Sequence, residues 1–309
     1  MTGMSCRHWR GAVWAIWVVA ALLLLDVVNL TVYGLVIPLS ALVIAVTVPG
    51  MVPSSRGRAD RRDLLVIAAL YAAVVGLFRV AFAVFTTGNA AGLFLTFGAG
   101  LLLGVAGPVV YTVWGRGQSL GDLGLRLDNW RRAAALGVSF AAVQFTLTLW
   151  GYDLPRPVDW IPLLVMSLVV GFFEAVFFRG FVQNRLEASF GTVRGVGGAA
   201  VLYGLYHVGY GMGAADIVFL VGLGVVYAVA FALARNVIAV WPLLTPLGSL
   251  FNNLQTGDIH LPWASIAGFA DIAVAMAVVI WLAMRRQRRQ RLSPPPAVPA
   301  PQQRTPASA

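Results

Sequence analysis

The run Phe172-Phe173-Glu174-Ala175-Val176-Phe177-Phe178-Arg179-Gly180 sets an acid and a guanidinium inside an otherwise apolar stretch. Carrying an ionised side chain to the middle of a bilayer costs roughly 2.5–3.5 kcal/mol on insertion scales. Such residues therefore face a polar interior, where they do chemistry, conduct ions or pair with one another. A second polar group, Tyr203, Tyr206 and His207, follows in the next apolar segment, and a third, Ser249, Asn252 and Asn253, two segments later. A carboxylate within an apolar bundle can act as general base to a water. The imidazole of His207 can bind a metal, polarise a carbonyl or shuttle a proton. The side-chain amide of Asn253 can donate to a developing oxyanion. Together these groups point to one buried site assembled from several helices.

Each residue also has a purely structural reading. Glu174 and Arg179 could tie helices together as an ion pair, His207 could be a hydrogen-bonded packing residue, and Asn252 with Asn253 could be interhelical glue. Five residues along an α-helix is about 140° of net rotation. Glu174 and Arg179 are therefore expected on different faces, Glu174 toward a cavity and Arg179 pairing elsewhere or snorkelling toward the interface.

The elements that position these groups follow from composition. Of 309 residues, 59% are hydrophobic and 11% charged, which excludes a soluble domain and marks a polytopic membrane protein of all-α class. The formal net charge of +10 comes from arginines between the apolar runs. No basic patch with interleaved aromatics accompanies them, so they set topology and give no reason to expect nucleic acid as a partner. The one cysteine, Cys6, excludes an internal disulfide and a cysteine metal cluster. Arg7 and Arg10 precede an apolar run with no small-residue cleavage site after it, which reads as a retained first span.

A hydrocarbon core needs roughly 20 apolar residues to cross, and that ruler gives about ten spans. They are Val13–Asn29, Val32–Val52, Leu64–Phe85, Ala91–Trp114, Ala133–Trp150, Trp160–Leu186, Val196–Tyr210, Asp216–Ala234, Val237–Leu254 and Trp263–Met284. If they alternate, the arginines between 7 and 62, 116 and 132, 185 and 194, at 235 and from 285 to 291 all fall on one side. The other side holds Arg156 with Asp153, Asp159, Asp258 and His260. The positive-inside rule then predicts a plasma-membrane protein with both termini cytoplasmic. Residues 1–292 form one membrane domain, and 293–309, rich in Pro, Gln and Ala, read as a disordered tail.

Glu174-Ala-Val-Phe-Phe-Arg179 resembles the first motif, Glu-Glu-x-x-x-Arg, of the CAAX-protease and bacteriocin-processing family of intramembrane metalloproteases. Tyr203-Gly-Leu-Tyr-His207 is similar to its second motif, Phe-x-x-x-His, and Ser249-Leu-Phe-Asn-Asn253 falls where the family has His-x-x-x-Asn. The stretch Ser119-Leu-Gly-Asp-Leu-Gly-Leu-Arg126 is similar to a segment found before the core in bacterial members, so the likeness covers roughly Ser119 to Leu254.

The resemblance implies a bacterial endopeptidase acting on a membrane-associated peptide within the lipid bilayer. Glu174 would activate water, His207 and Glu174 would hold a divalent metal, zinc in kind, Asn253 would stabilise the oxyanion, and Arg179 would orient the glutamate's helix or the substrate. The chain departs from the pattern at Ala175, in place of the second glutamate, and at Ser249, in place of the third-motif histidine. A catalytic zinc takes three protein ligands, so metal binding weaker than at a complete site is expected. Two other functions fit the residues: a non-catalytic family member serving as a binding or immunity scaffold, and a proton-coupled transporter. The absence of an internal repeat weighs against the transporter.

Overall fold

The computed structural model describes residues 59–85, 89–127, 130–149, 153–245, 247–257 and 259–292. The first two expected spans, Cys6, Arg7, Arg10, Asp258 and the tail from 293 lie outside the described residues. Every regular element among the described residues is a helix. Helix α1 (Arg61–Val84) is followed by α2 (Ala90–Val110), which runs on through a wider π turn, Tyr111–Gly115. Helix α3 is Trp130–Leu149. Helix α4 (Pro157–Glu174) continues as a π-helical stretch, Ala175–Gln183, and then as α5 (Asn184–Phe190). Helix α6 (Thr192–Tyr206) tightens into a 3-10 turn, His207–Tyr210, before α7 (Ala214–Ala234) returns. Short pieces α8 (Val237–Val240) and α9 (Leu247–Thr256) precede the long α10 (Ala264–Leu292).

Five helices among the described residues are long and apolar enough to cross a membrane: Arg61–Val84, Ala90–Gly115, Pro157–Phe190, Ala214–Ala234 and Ala264–Gln290. They coincide with the third, fourth, sixth, eighth and tenth expected spans. The fifth expected span forms α3, and the seventh forms α6 with its 3-10 turn, but neither is among those five. The ninth, expected as one helix over Val237–Leu254, is instead broken into α8, a 3-10 turn at Pro242–Leu244, and α9. Proline at 242 has no N–H to continue the ladder. Thr245, preceding Pro246, is pushed to extended backbone at φ −78°, ψ 109°. Trp241 at the break donates its indole N–H to the Leu168 carbonyl at 2.8 Å, which fixes the broken segment to α4.

Helix α2 packs against α1, α4 and α10. It can do so because glycines face its neighbours: a side chain at Gly98 would meet Ile272, at Gly100 Phe78, at Gly104 the ring of Phe173, and at Gly107 Leu70. Close approach through small residues is how helices gain packing in lipid, where burial from water supplies nothing. The core fills between α1, α2, the α4–α5 rod and the α6–α7 hairpin with Phe78, Leu101, Phe173, Phe177, Phe178 and Phe181, all fully buried.

One end of the bundle gathers the arginines. Asp60 caps α1 and pairs with Arg116 at 2.6 Å, Asp63 pairs with Arg185 at 3.0 Å, and Glu187 pairs with Arg235 at 2.5 Å. Gln287 on α10 donates to the Gln118 carbonyl at 3.4 Å. These bonds join the start of α1 to the ends of α2, α5, α7 and α10, the common side that the arginine spacing demands. After α2 the chain folds back there: Ser119 and Asp122 cap a 3-10 turn, Leu120–Leu123, whose two leucines are buried. The Leu123 carbonyl abuts Gly180 where any side chain would collide with it.

Candidate functional site

Glu174 is the last residue of α4 before the backbone widens, and it is buried, 3% exposed. Both its carboxylate oxygens accept from tyrosines on α6: Tyr206 donates to Oε1, and Tyr203 donates to Oε2 at 3.3 Å. The two tyrosines are three residues apart, close to one helical turn, so both hydroxyls converge on one carboxylate. His207 follows at the junction where α6 tightens, with its ring centroid 4.0 Å from that of Tyr206. Its Nδ1 lies 3.0 Å from the Tyr203 carbonyl. A carbonyl can only accept, so Nδ1 carries the proton there and Nε2 keeps its lone pair.

Arg179 departs from expectation. It is neither snorkelling nor held elsewhere: it is fully buried, with its guanidinium carbon 4.9 Å from the centre of the Tyr203 ring. The cause is the π-helical stretch. A backbone closing i→i+5 hydrogen bonds stacks residues five apart, so Arg179 turns toward the face that bears Glu174, and both meet Tyr203. The ring face gives the guanidinium a cation–π contact. Yet none of Arg179's three nitrogens has a hydrogen-bond partner in the described structure. Buried donors are almost always paired, so this is the largest unmet demand among the described residues.

Aromatic rings wall the cluster. Phe178 lies 4.7 Å from Tyr206 and 5.4 Å from Tyr203, centroid to centroid, and Phe78 and Tyr210 close the α1 side. The structure thus brings Glu174, Arg179 and His207 together through Tyr203 and Tyr206. Tyr206 was only part of a polar cluster in the sequence, with no role assigned; its spacing three after Tyr203 and one before His207 is the signal. Asn253 is not brought to the cluster. Helix α9 packs its Phe251 and Leu254 against Leu163 and Trp160 of α4, and the half-buried Asn253 side chain bonds neither Glu174 nor His207. His260 is exposed.

The metal implied by the resemblance can be tested against this donor set. Both oxygens of Glu174 and Nδ1 of His207 are engaged, which leaves His207 Nε2 as the ready ligand. Among the described residues no group of three or more His, Cys, Asp or Glu is placed to hold a metal ion. A catalytic zinc needs three such ligands and an open position, so the described residues do not fit a tightly held zinc.

Residues 156–245 match the family model described as type II CAAX prenyl endopeptidase Rce1-like. The matched stretch contains Glu174, Arg179, Tyr203, Tyr206 and His207 and ends before Ser249 and Asn253. It supports the likeness to CAAX-type proteases read from the first two motifs. No curated protein and no solved structure matches the chain.

Proposed function

We propose that the chain is an intramembrane endopeptidase of the CAAX-protease type, cleaving a membrane-associated peptide with Glu174 as general base. The observation that carries this reading is the convergence of Glu174, Arg179 and His207 inside the stretch similar to prenyl endopeptidases. A water at Glu174 gives its proton to the carboxylate as its oxygen bonds to the scissile carbonyl carbon. The Nε2 lone pair of His207 orients that water. Negative charge then grows on the carbonyl oxygen, and the unused N–H groups of Arg179 are the donors assigned to it. On collapse of the tetrahedral species the C–N bond breaks, and the proton held by Glu174 passes to the leaving nitrogen. No step is routed through a metal, and Asn253 has no assigned part.

Full-length protein in proteoliposomes, given a prenylated peptide with a C-terminal fluorophore, should release the fluorescent fragment. Glu174→Gln keeps the shape and removes the base, and is expected to slow release by about 10²–10⁴-fold. Release at an undiminished rate in that variant would overturn the mechanism. A second reading, the non-catalytic scaffold, is favoured by one feature: Ala175 and Ser249 stand where the family motif carries a glutamate and a histidine. If wild type releases nothing but still captures the peptide, and Glu174→Gln captures it equally, the scaffold reading replaces the enzyme.

A further inference from the structure

The arginines at the gathered end fall into two groups. Arg116, Arg185 and Arg235 are each paired with a carboxylate. Arg285, Arg286 and Arg288, on the last turns of α10, form no ion pair with a carboxylate among the described residues. Two of them lie against indoles instead: Arg286 is 5.8 Å from the Trp114 ring and Arg285 is 5.5 Å from the Trp281 ring. Both tryptophans are substantially exposed.

Two grooves flank α10 at this level. One, of about 510 Å³, is lined by Trp114, Leu282, Arg285, Arg286, Arg289 and Gln290. The other, of about 550 Å³, is lined by Trp281, Met284, Arg285 and Arg288. Each has an apolar floor, one indole and a guanidinium rim, and Arg285 serves both. The first is walled by two elements, since Trp114 stands on the π turn that ends α2, and Gln287 ties α10 to the loop beyond that turn. Indoles settle at the head-group level of a bilayer, and guanidinium matches a phosphate's oxygens bidentately.

We propose that the groove between Trp114 and the α10 arginines is a binding site for the phosphodiester of an anionic glycerophospholipid. The phosphate sits between Arg285 and Arg286, the glycerol and upper acyl carbons lie on Trp114 and Leu282, and the chains continue down the lipid-facing side of α10. A free phosphate would find the rim without the floor, whereas a phospholipid uses both. This site is separate from the Glu174 cluster and does not rest on the proposed activity.

The test uses full-length protein in nanodiscs and detergent, titrated with dioleoylphosphatidylglycerol, dioleoylphosphatidylcholine or inorganic phosphate. Bound lipid is counted by native mass spectrometry and stability is read by thermal unfolding. Phosphatidylglycerol should bind and raise the unfolding midpoint, while phosphatidylcholine and inorganic phosphate should not. The double variant Arg285→Gln/Arg286→Gln should bind phosphatidylglycerol about thirtyfold more weakly, from roughly 1 kcal/mol per arginine near a charged surface. The charge-matched control Arg131→Gln/Arg132→Gln, at two exposed arginines of α3, should bind as wild type does. Equal loss in both double variants would reduce the effect to diffuse net charge and overturn the site. So would equal stabilisation by phosphatidylcholine, or by inorganic phosphate alone.

Discussion

The bundle buries ionised groups in two places and treats them oppositely. At the arginine end, Asp63 accepts from the Tyr111 hydroxyl at 2.6 Å and from Arg185 at 3.0 Å, and Arg185 also donates to Thr112 and Gln118, leaving only its Nε without a partner among the described residues. Around Glu174 the carboxylate has both oxygens filled by tyrosines, while the guanidinium of Arg179 finds no acceptor among the described residues. A network with nearly every group paired specifies structure, and one whose cation pairs with no acceptor is costly to keep. The first region is therefore a lock between α1, α2 and α5. The second retains donors that a fold alone has no use for.

The largest expected effect tests that division directly. Asp63→Ala leaves Arg185 buried without its carboxylate and should cost about 3–5 kcal/mol of stability, seen as a large fall in the unfolding midpoint of purified protein. Arg179→Met removes a buried cation that has the Tyr203 ring face but no hydrogen-bond acceptor among the described residues, so its midpoint should hold or rise while peptide release is lost. A fall in the Arg179→Met midpoint as deep as that of Asp63→Ala would erase the distinction between lock and site.

Next in size are the tyrosines. Tyr206→Phe removes a hydrogen bond to a charged group, worth about 1.5–3 kcal/mol. Tyr203→Phe should lose less hydrogen-bond energy, since its bond is long at 3.3 Å. Denaturant unfolding of the two variants ranks them, and the reverse order would shift the anchoring of Glu174 to Tyr203.

Between the two regions lies Gly180. A methyl there would meet the Leu123 backbone carbonyl, which cannot swing away, whereas a methyl at Gly197 would meet nothing within 4 Å. Gly180→Ala should destabilise by about 1–3 kcal/mol, and Gly197→Ala should be neutral or stabilising by up to about 1 kcal/mol. Similar midpoints for the pair would show that the loop after α2 does not bear on the π-helical stretch.

The smallest effect belongs to Asp60, at the exposed rim of the lock. The Arg62 backbone N–H, and then Arg116, hold its carboxyl below the ordinary carboxylate value. A lowered folded value means its contribution is present above the unfolded pKa and is lost as pH falls through the folded one. Wild type should therefore show a slight extra loss of stability below about pH 4 that Asp60→Asn lacks. An identical acid limb in the two proteins would remove Asp60 from the lock.

Much of this was legible in the chain. Glu174, Arg179 and His207 stand out because charge and imidazole are rare in apolar runs, and the five long helices follow from run length. The arginine spacing anticipates the shared end formed by Asp60–Arg116, Asp63–Arg185 and Glu187–Arg235. The break at Pro242 was written in the sequence but masked by the apolar content of Val237–Leu254, which satisfies a length ruler however the backbone is folded. Arg179's direction was not legible. Periodicity presumes the α-helical rotation per residue, and nothing in Ala175–Gln183 announces a wider turn. The position of Asn253 also depends on how α9 leaves the break, a tertiary matter that motif spacing does not carry.

The widened stretch after Glu174 makes the cluster sensitive to residue count as well as residue identity. A π turn holds one more residue than the α turn it replaces. Deleting a single residue between Ala175 and Gln183 would let the segment relax to ordinary helix, still apolar and still long enough to cross the bilayer. A deletion before Arg179 would set the arginine four residues after Glu174, the spacing that shares a face in an α-helix, so it would stay near the Tyr203 ring, whereas an ordinary helix of unchanged length would carry Arg179 about 140° away from Glu174. A chain one residue shorter could thus gather the carboxylate, the guanidinium and the imidazole on an ordinary helix, while a chain of this length does so only through the wider turn.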